Sequence, residues 1–197
     1  MGVLLGLLRP LQALLDVVLS IGKAISVFAI GMMVVCILIQ VFFRYVLGNA
    51  LTWPDEAARF CMLWMTGFMA PYAYRRGGFV AIDMVLLALP RAIGSAVAMI
   101  LLGVAGLVLY VALQIGYGEI TGFGSRFATA SLYLPSLVDG AVVWERMPRY
   151  YMFLSMFVGV CLLLVVNIEL ILRSIVTLLG GGDQLRPIPG EVMIEAE

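Results

Sequence analysis

Few side chains in this sequence could do chemistry, and their spacing narrows what that chemistry is. Histidine is absent, which removes imidazole metal ligation, bis-His haem and imidazole acid–base catalysis. The three cysteines, Cys36, Cys61 and Cys161, stand apart in apolar runs without a Cys-x-x-Cys pair, and read as small hydrophobes. Lys+Arg and Asp+Glu number 12 each, so no field draws nucleic acid and none is expected as a partner. No catalytic, substrate-binding or metal-ligating set can be assembled, no cofactor is expected on this chain, and an enzyme is not expected.

The most informative polar segment is Leu51-Thr52-Trp53-Pro54-Asp55-Glu56-Ala57-Ala58-Arg59. Thr52 or Trp53 can cap a helix, Pro54 suits its first turn, and Asp55 and Glu56 lie where the helix dipole favours anions. Arg59 follows Asp55 by four residues, so an ion pair on one face is available. Two readings stand: a well-capped helix with Trp53 as an interfacial anchor, or a polar end (Trp53, Asp55, Glu56, Arg59) that also meets a partner. Further along, Glu169 has Arg173 four residues on, and mutual pairing is expected.

These residues need a membrane to hold them in place. Apolar residues make up 63% of the 197 and charged residues only 12%, where soluble domains carry roughly a quarter. A chain this size cannot bury so much apolar surface in its own interior. Four stretches lack charge altogether: Ala24–Phe43, Phe60–Tyr74, Ala92–Gly118 and Tyr150–Ile168. Lipid leaves no partner for stray backbone groups, so these read as helices. The expected fold is an all-α integral membrane protein with one transmembrane domain over 1–182. Its four spans run about 24–47, 54–75, 91–118 and 148–176, and a flexible cytoplasmic tail covers 183–197.

Two shorter helices complete the expected architecture. From Pro10, Leu11, Leu14, Leu15, Val18 and Ile25 repeat at helical spacing, while Gln12, Asp16, Ser20 and Lys23 form the opposite stripe. This predicts an N-terminal amphipathic helix lying in the interface; without a positive n-region, a cleaved leader is disfavoured. Between spans 2 and 3, Gly77-Gly78 breaks the helix, and Phe79–Leu89 is too short to cross, predicting a second interfacial helix. The Glu119–Arg149 connection is rich in aromatics and is expected partly in the interface. The compact Arg75/Arg76/Arg91 cluster places the middle loop, and with it both termini, in the cytoplasm. Arg75, Arg76, Arg91 and Trp144 are the expected lipid-headgroup anchors.

In span 3, Gly94, Ala98, Ala105, Ala112 and Gly116 fall within about 40° of one another at 100° per residue. Such a stripe lets helices approach closely in lipid. It serves either packing within the unit or a seam for another protein. The middles of the spans hold no Asp, Glu, Lys or Arg, where pumps and coupled carriers usually keep their working groups. Taken alone, the chain lacks the parts of a solute pump and reads as a subunit that supports one.

Three motifs then occur in order: Arg44-Tyr45-Val46-Leu47-Gly48-Asn49, Trp53-Pro54-Asp55-Glu56, and Arg75-Arg76-Gly77-Gly78-Phe79-Val80-Ala81-Ile82-Asp83. With them the chain resembles the small membrane (Q) subunit of tripartite ATP-independent periplasmic (TRAP) transporters. It departs from that pattern at Phe79, where the family usually has histidine, and in the longer Glu119–Arg149 connection. The resemblance implies a large multi-span membrane (M) subunit as partner, carrying the substrate and sodium sites, and a periplasmic substrate-binding protein. It also implies sodium-driven import of organic acids (carboxylates) across the bacterial inner membrane, with the small subunit enlarging a static scaffold. The competing expectation is a freestanding small homo-oligomeric transporter or channel.

Overall fold

A computed structural model describes residues 2–77, 91–138 and 141–178. Four helices carry the architecture: α1 (Gly2–Tyr45), α2 (Trp53–Arg75), α3 (Arg91–Thr121) and α4 (Tyr150–Leu178). A short 3₁₀ turn, Phe123–Arg126, and an antiparallel ribbon, β1 (Ala128–Val138) and β2 (Ala141–Pro148), join α3 to α4. In space the helices run α1, α2, α4, α3, with α1 touching α4 only lightly. Three of them, over Pro10–Tyr45, Ala96–Thr121 and Tyr150–Leu178, are long and apolar enough to cross a membrane. The expected second interfacial helix and the tail 183–197 lie outside the described residues.

The N-terminal stripe was legible, but each of its faces is divided: Leu15 is buried with Gln12, while Leu14 and Ile25 are exposed, as Ser20 and Lys23 are. The expected helix runs into span 1, and α1 is one unbroken helix from Gly2 with Pro10 inside it, but its polar side is not wholly in water. Gln12 is 4% exposed, and Asp16 reaches a guanidinium on α2, while Leu14 and Val17 are each 59% exposed. The physical reason is that α2 and α4 supply partners for polar groups and lipid does not. Periodicity defines two faces without saying which is wet.

Small residues set the spacing of the helices. Along α1, Gly22, Ser26, Ala29 and Cys36 are buried at three- and four-residue intervals and, with a gap, seven. A Cβ on Gly22 would meet Phe68 of α2 at 3.3 Å. Ser26 Oγ donates to the Gly22 carbonyl at 2.8 Å and lies 3.3 Å from the Met65 carbonyl across the seam. Between α2 and α4 the approach is tighter. A Cβ on Gly67 would stand 2.6 Å from the Ser155 carbonyl oxygen, and one on Gly159 2.8 Å from Gly67 Cα. Backbone meets backbone there, the contact that small residues permit and lipid-embedded helices rely on.

The stripe on α3 faces α4, the one helix α3 packs against among the described residues. Gly94 and Gly116 are buried and Ala98, Ala105 and Ala112 half-buried; a Cβ on Gly116 would meet Phe157 at 3.3 Å. The outer face of α3, with Ile100, Val104, Leu107 and Val108, is exposed. At Gly116 the stripe packs within the chain, against Phe157 of α4.

The all-α expectation needs one amendment. The 119–149 connection holds the ribbon, whose register pairs Tyr133 with Arg146, Pro135 with Trp144 and Val138 with Ala141. The residues between Val138 and Ala141 are Asp139-Gly140, a dipeptide that favours two-residue hairpins.

Candidate functional site

Two polar sites sit at opposite ends of α2, and the first is its N-terminal turn. The motif glycine before it works through its backbone: Gly48 has φ +65°, and the turn it permits lets Asn49 N–H donate to the Phe43 carbonyl at 3.0 Å. Thr52 occupies the cap position without a side-chain cap bond, and Pro54 is buried in the first turn. Asp55 and Arg59 form the expected pair at 2.9 Å, both well exposed, and Trp53 is also exposed.

Glu56 was expected at a partner surface and is occupied within the chain. Its carboxylate accepts the Ala130 N–H at 3.0 Å, the Ser131 N–H at 2.7 Å and the Ser131 hydroxyl at 2.6 Å. These bonds pin the irregular start of β1, where the register shifts between Ala128 and Tyr133, to the start of α2. The ribbon then presents Tyr133 and Trp144 outward. Hydrogen bonds to a charged group contribute about 1.5–3 kcal/mol each at most. Glu56→Ala is therefore expected to loosen the ribbon without unfolding the helices. Faster amide exchange at Ala130 and Ser131, with helix amides unchanged, is the measurement; unchanged exchange would contradict the assignment.

The second site is the C-terminal end of α2, about 28 Å away at 1.5 Å per residue from Glu56 to Arg75. Arg75 was expected among lipid headgroups; it is instead 5% exposed and committed to carboxylates. Nε donates to Glu169 Oε2 at 2.7 Å and Nη2 to Glu169 Oε1 at 3.0 Å, a two-pronged pairing. Nη1 donates to Asp16 Oδ1 at 2.5 Å. Arg173 Nε adds a bond to Glu169 Oε1 at 3.2 Å, the i,i+4 pairing expected from spacing. Glu169 itself is fully buried, so isolation of its charge would be costly, and two arginines remove that cost.

Beside this cluster, Asn167 joins three helices. Its Oδ1 accepts the Tyr74 hydroxyl at 2.9 Å and its Nδ2 donates to the Leu102 carbonyl at 3.2 Å. Gly106 makes room for it, since a Cβ there would stand 2.8 Å from Nδ2. Past Arg75, Gly77 at φ +73° ends the helix, with N–H groups of Arg76 and Gly77 on the Ala73 and Tyr74 carbonyls. Arg76 lies half-buried over the Tyr72 ring at 4.2 Å, and Trp144 is exposed on the ribbon. Arg91 opens α3, and its side chain lies outside the described residues.

This arrangement holds helices together and has no group free to turn over. A guanidinium does not release its proton in proteins, and Asp16 and Glu169 are both paired. Among the described residues, no three of His, Cys, Asp and Glu gather as a metal site would require. The three cysteines are free, Cys36 buried and the others half-buried.

Comparison with known families gives one result. The family model described as "Tripartite ATP-independent periplasmic transporters, DctQ component" matches residues 33–177, most of the chain, from the last third of α1 through α2, α3 and nearly all of α4. No curated protein and no solved structure matches it.

Proposed function

Because this membrane chain belongs to the DctQ family, the small membrane subunits of tripartite ATP-independent periplasmic transporters, we propose that it is the scaffold subunit of a sodium-coupled importer of organic acids. As a component of such a transporter it works with the other components, the large membrane subunit and the binding protein. The scaffold role rests on one observation: among the described residues, the charged side chains buried in the helices, Arg75 and Glu169, are committed to each other and to Asp16 and Arg173 at one end. The span interiors contribute no acid or base that could couple an ion to a solute. Substrate and sodium sites then belong to the large subunit, which moves against this chain.

In this reading α2 is the fourth span. Its charge-free part, Phe60–Tyr74, lies between α1 and α4, which cover much of it and leave Met62, Leu63, Thr66 and Ala73 exposed. Both termini and the Arg75 end face the cytoplasm of a bacterial inner membrane. The Glu56 end, with Trp53, Asp55, Arg59 and the ribbon, faces the periplasm, where a binding protein docks. Arg76 and Trp144 remain anchor candidates.

Affinity purification of the tagged chain from mild detergent tests this. A large multi-span protein is expected to come with it at one-to-one stoichiometry. Recovery of the chain only as copies of itself would favour a freestanding oligomer and contradict the proposal.

A further inference from the structure

A cavity of about 250 Å³ opens beside the Arg75 cluster, between α1 and the end of α2. Asp16, Leu19, Ser20 and Lys23 line it from α1, and Tyr72, Arg75 and Arg76 from α2. Its charges do not balance. Arg75 and Arg173 pair with Asp16 and Glu169. Lys23 and Arg76 are left over, and among the described residues neither has a carboxylate within ion-pair distance. Both bear on one ring instead: Lys23 Nζ lies 5.6 Å and Arg76 4.2 Å from the Tyr72 centroid. Two cations held on one aromatic, beside a cavity with Ser20 at its rim, leave a net charge of about +2 awaiting an anion.

The position of the cavity says which anion. The charge-free run of α1 begins at Ala24, just after Lys23; that of α2 ends at Tyr74, just before Arg75; that of α4 ends at Ile168, just before Glu169. Three helices thus leave hydrocarbon at the same level, and the cavity sits there, at the depth of lipid phosphates. On the adjoining turns of α1, Val17 and Ile21 are exposed, an apolar wall beside the cation pair. A free anion needs no such wall.

We propose that this cavity is a binding site for the phosphate of an anionic membrane phospholipid, held by Lys23 and Arg76 over Tyr72, with acyl chains along α1. The site differs from a generic basic anchor, because Arg75 is spent on Glu169 and Asp16 and only shapes the wall. It depends on the chain's being a membrane protein and not on its being a scaffold.

Native mass spectrometry of the purified full chain, offered equal amounts of phosphatidylglycerol and phosphatidylcholine in detergent, tests it. The wild type is expected to retain phosphatidylglycerol roughly 10- to 30-fold over phosphatidylcholine, the scale set by two surface-level cations. Lys23→Gln/Arg76→Gln is expected to lose that preference and Lys23→Arg to keep it. If the double variant melts below wild type in phosphatidylcholine alone, Lys23→Gln carries the test with a roughly 5-fold loss. Equal retention of the two lipids by wild type, or an undiminished preference in the variants, would overturn the site. Displacement of phosphatidylglycerol by millimolar inorganic phosphate would also overturn it, by showing that the phosphate needs no lipid.

Discussion

Replacing Arg75 with methionine is expected to destabilise the purified chain by about 3–5 kcal/mol, the scale for removing one partner of a buried ion pair. Two losses combine in that figure. Glu169, with no exposed surface, loses its two-pronged bond and is left with Arg173 at 3.2 Å among the described residues, and Asp16 loses its bond to Arg75. Removing both charges is a different matter, because a buried pair replaced by apolar side chains is often close to neutral. Arg75→Met/Glu169→Met is therefore expected to regain much of the loss, and that recovery identifies the single variant's defect as an orphaned charge. Arg59→Ala is the internal comparison. Its pair with Asp55 is exposed, so its cost is expected at about 0.5 kcal/mol or less. Unfolding of all variants in one detergent checks this, and an Arg75→Met midpoint equal to that of Arg59→Ala would contradict it.

The second large effect is steric. Added atoms at Gly159 meet the Gly67 backbone at 2.8 and 2.9 Å, and the backbone cannot swing aside as a flexible side chain does. Gly159→Ala forces α2 and α4 apart and is expected to cost about 1–3 kcal/mol, with Gly159→Leu losing the folded chain in detergent. The damage spreads because the same two helices carry the Arg75–Glu169 bonds at 2.7 and 3.0 Å and the Tyr74–Asn167 bond at 2.9 Å. Gly103 separates this mechanism from ordinary helix propensity. It has open space around it, so Gly103→Ala is expected to be neutral or stabilising by about 1 kcal/mol. Parallel behaviour of Gly159→Leu and Gly103→Ala in thermal melts would show that the close approach does not exist.

What the sequence made legible was whatever depends on near neighbours. The i,i+4 pairs Asp55–Arg59 and Glu169–Arg173, the α3 stripe and the breaks after Tyr45 and Arg75 follow from spacing, capping and glycine, which act within a few residues. What it concealed depends on distant ones. Arg75 read as a headgroup anchor because its partners are 59 and 94 residues away. Asp16 read as part of the wet face of an interfacial helix, since nothing nearby reveals that Arg75 of α2 pairs with it. Gly159 does follow Ser155 at small-xxx-small spacing, but nothing within the run says that Gly67 of another helix is what meets the pair. Glu56 read as a surface acid because the hairpin it receives is built some 75 residues later.

Labour is divided between subunits: this chain positions and another one transports. Solute flux into sodium-loaded gradients across proteoliposomes is the most direct measurement. The large membrane subunit, this chain and the loaded binding protein together are expected to accumulate an organic acid, and this chain reconstituted alone to move none. Sodium-driven uptake by this chain alone, or full uptake by the large subunit and binding protein without it, would contradict the account.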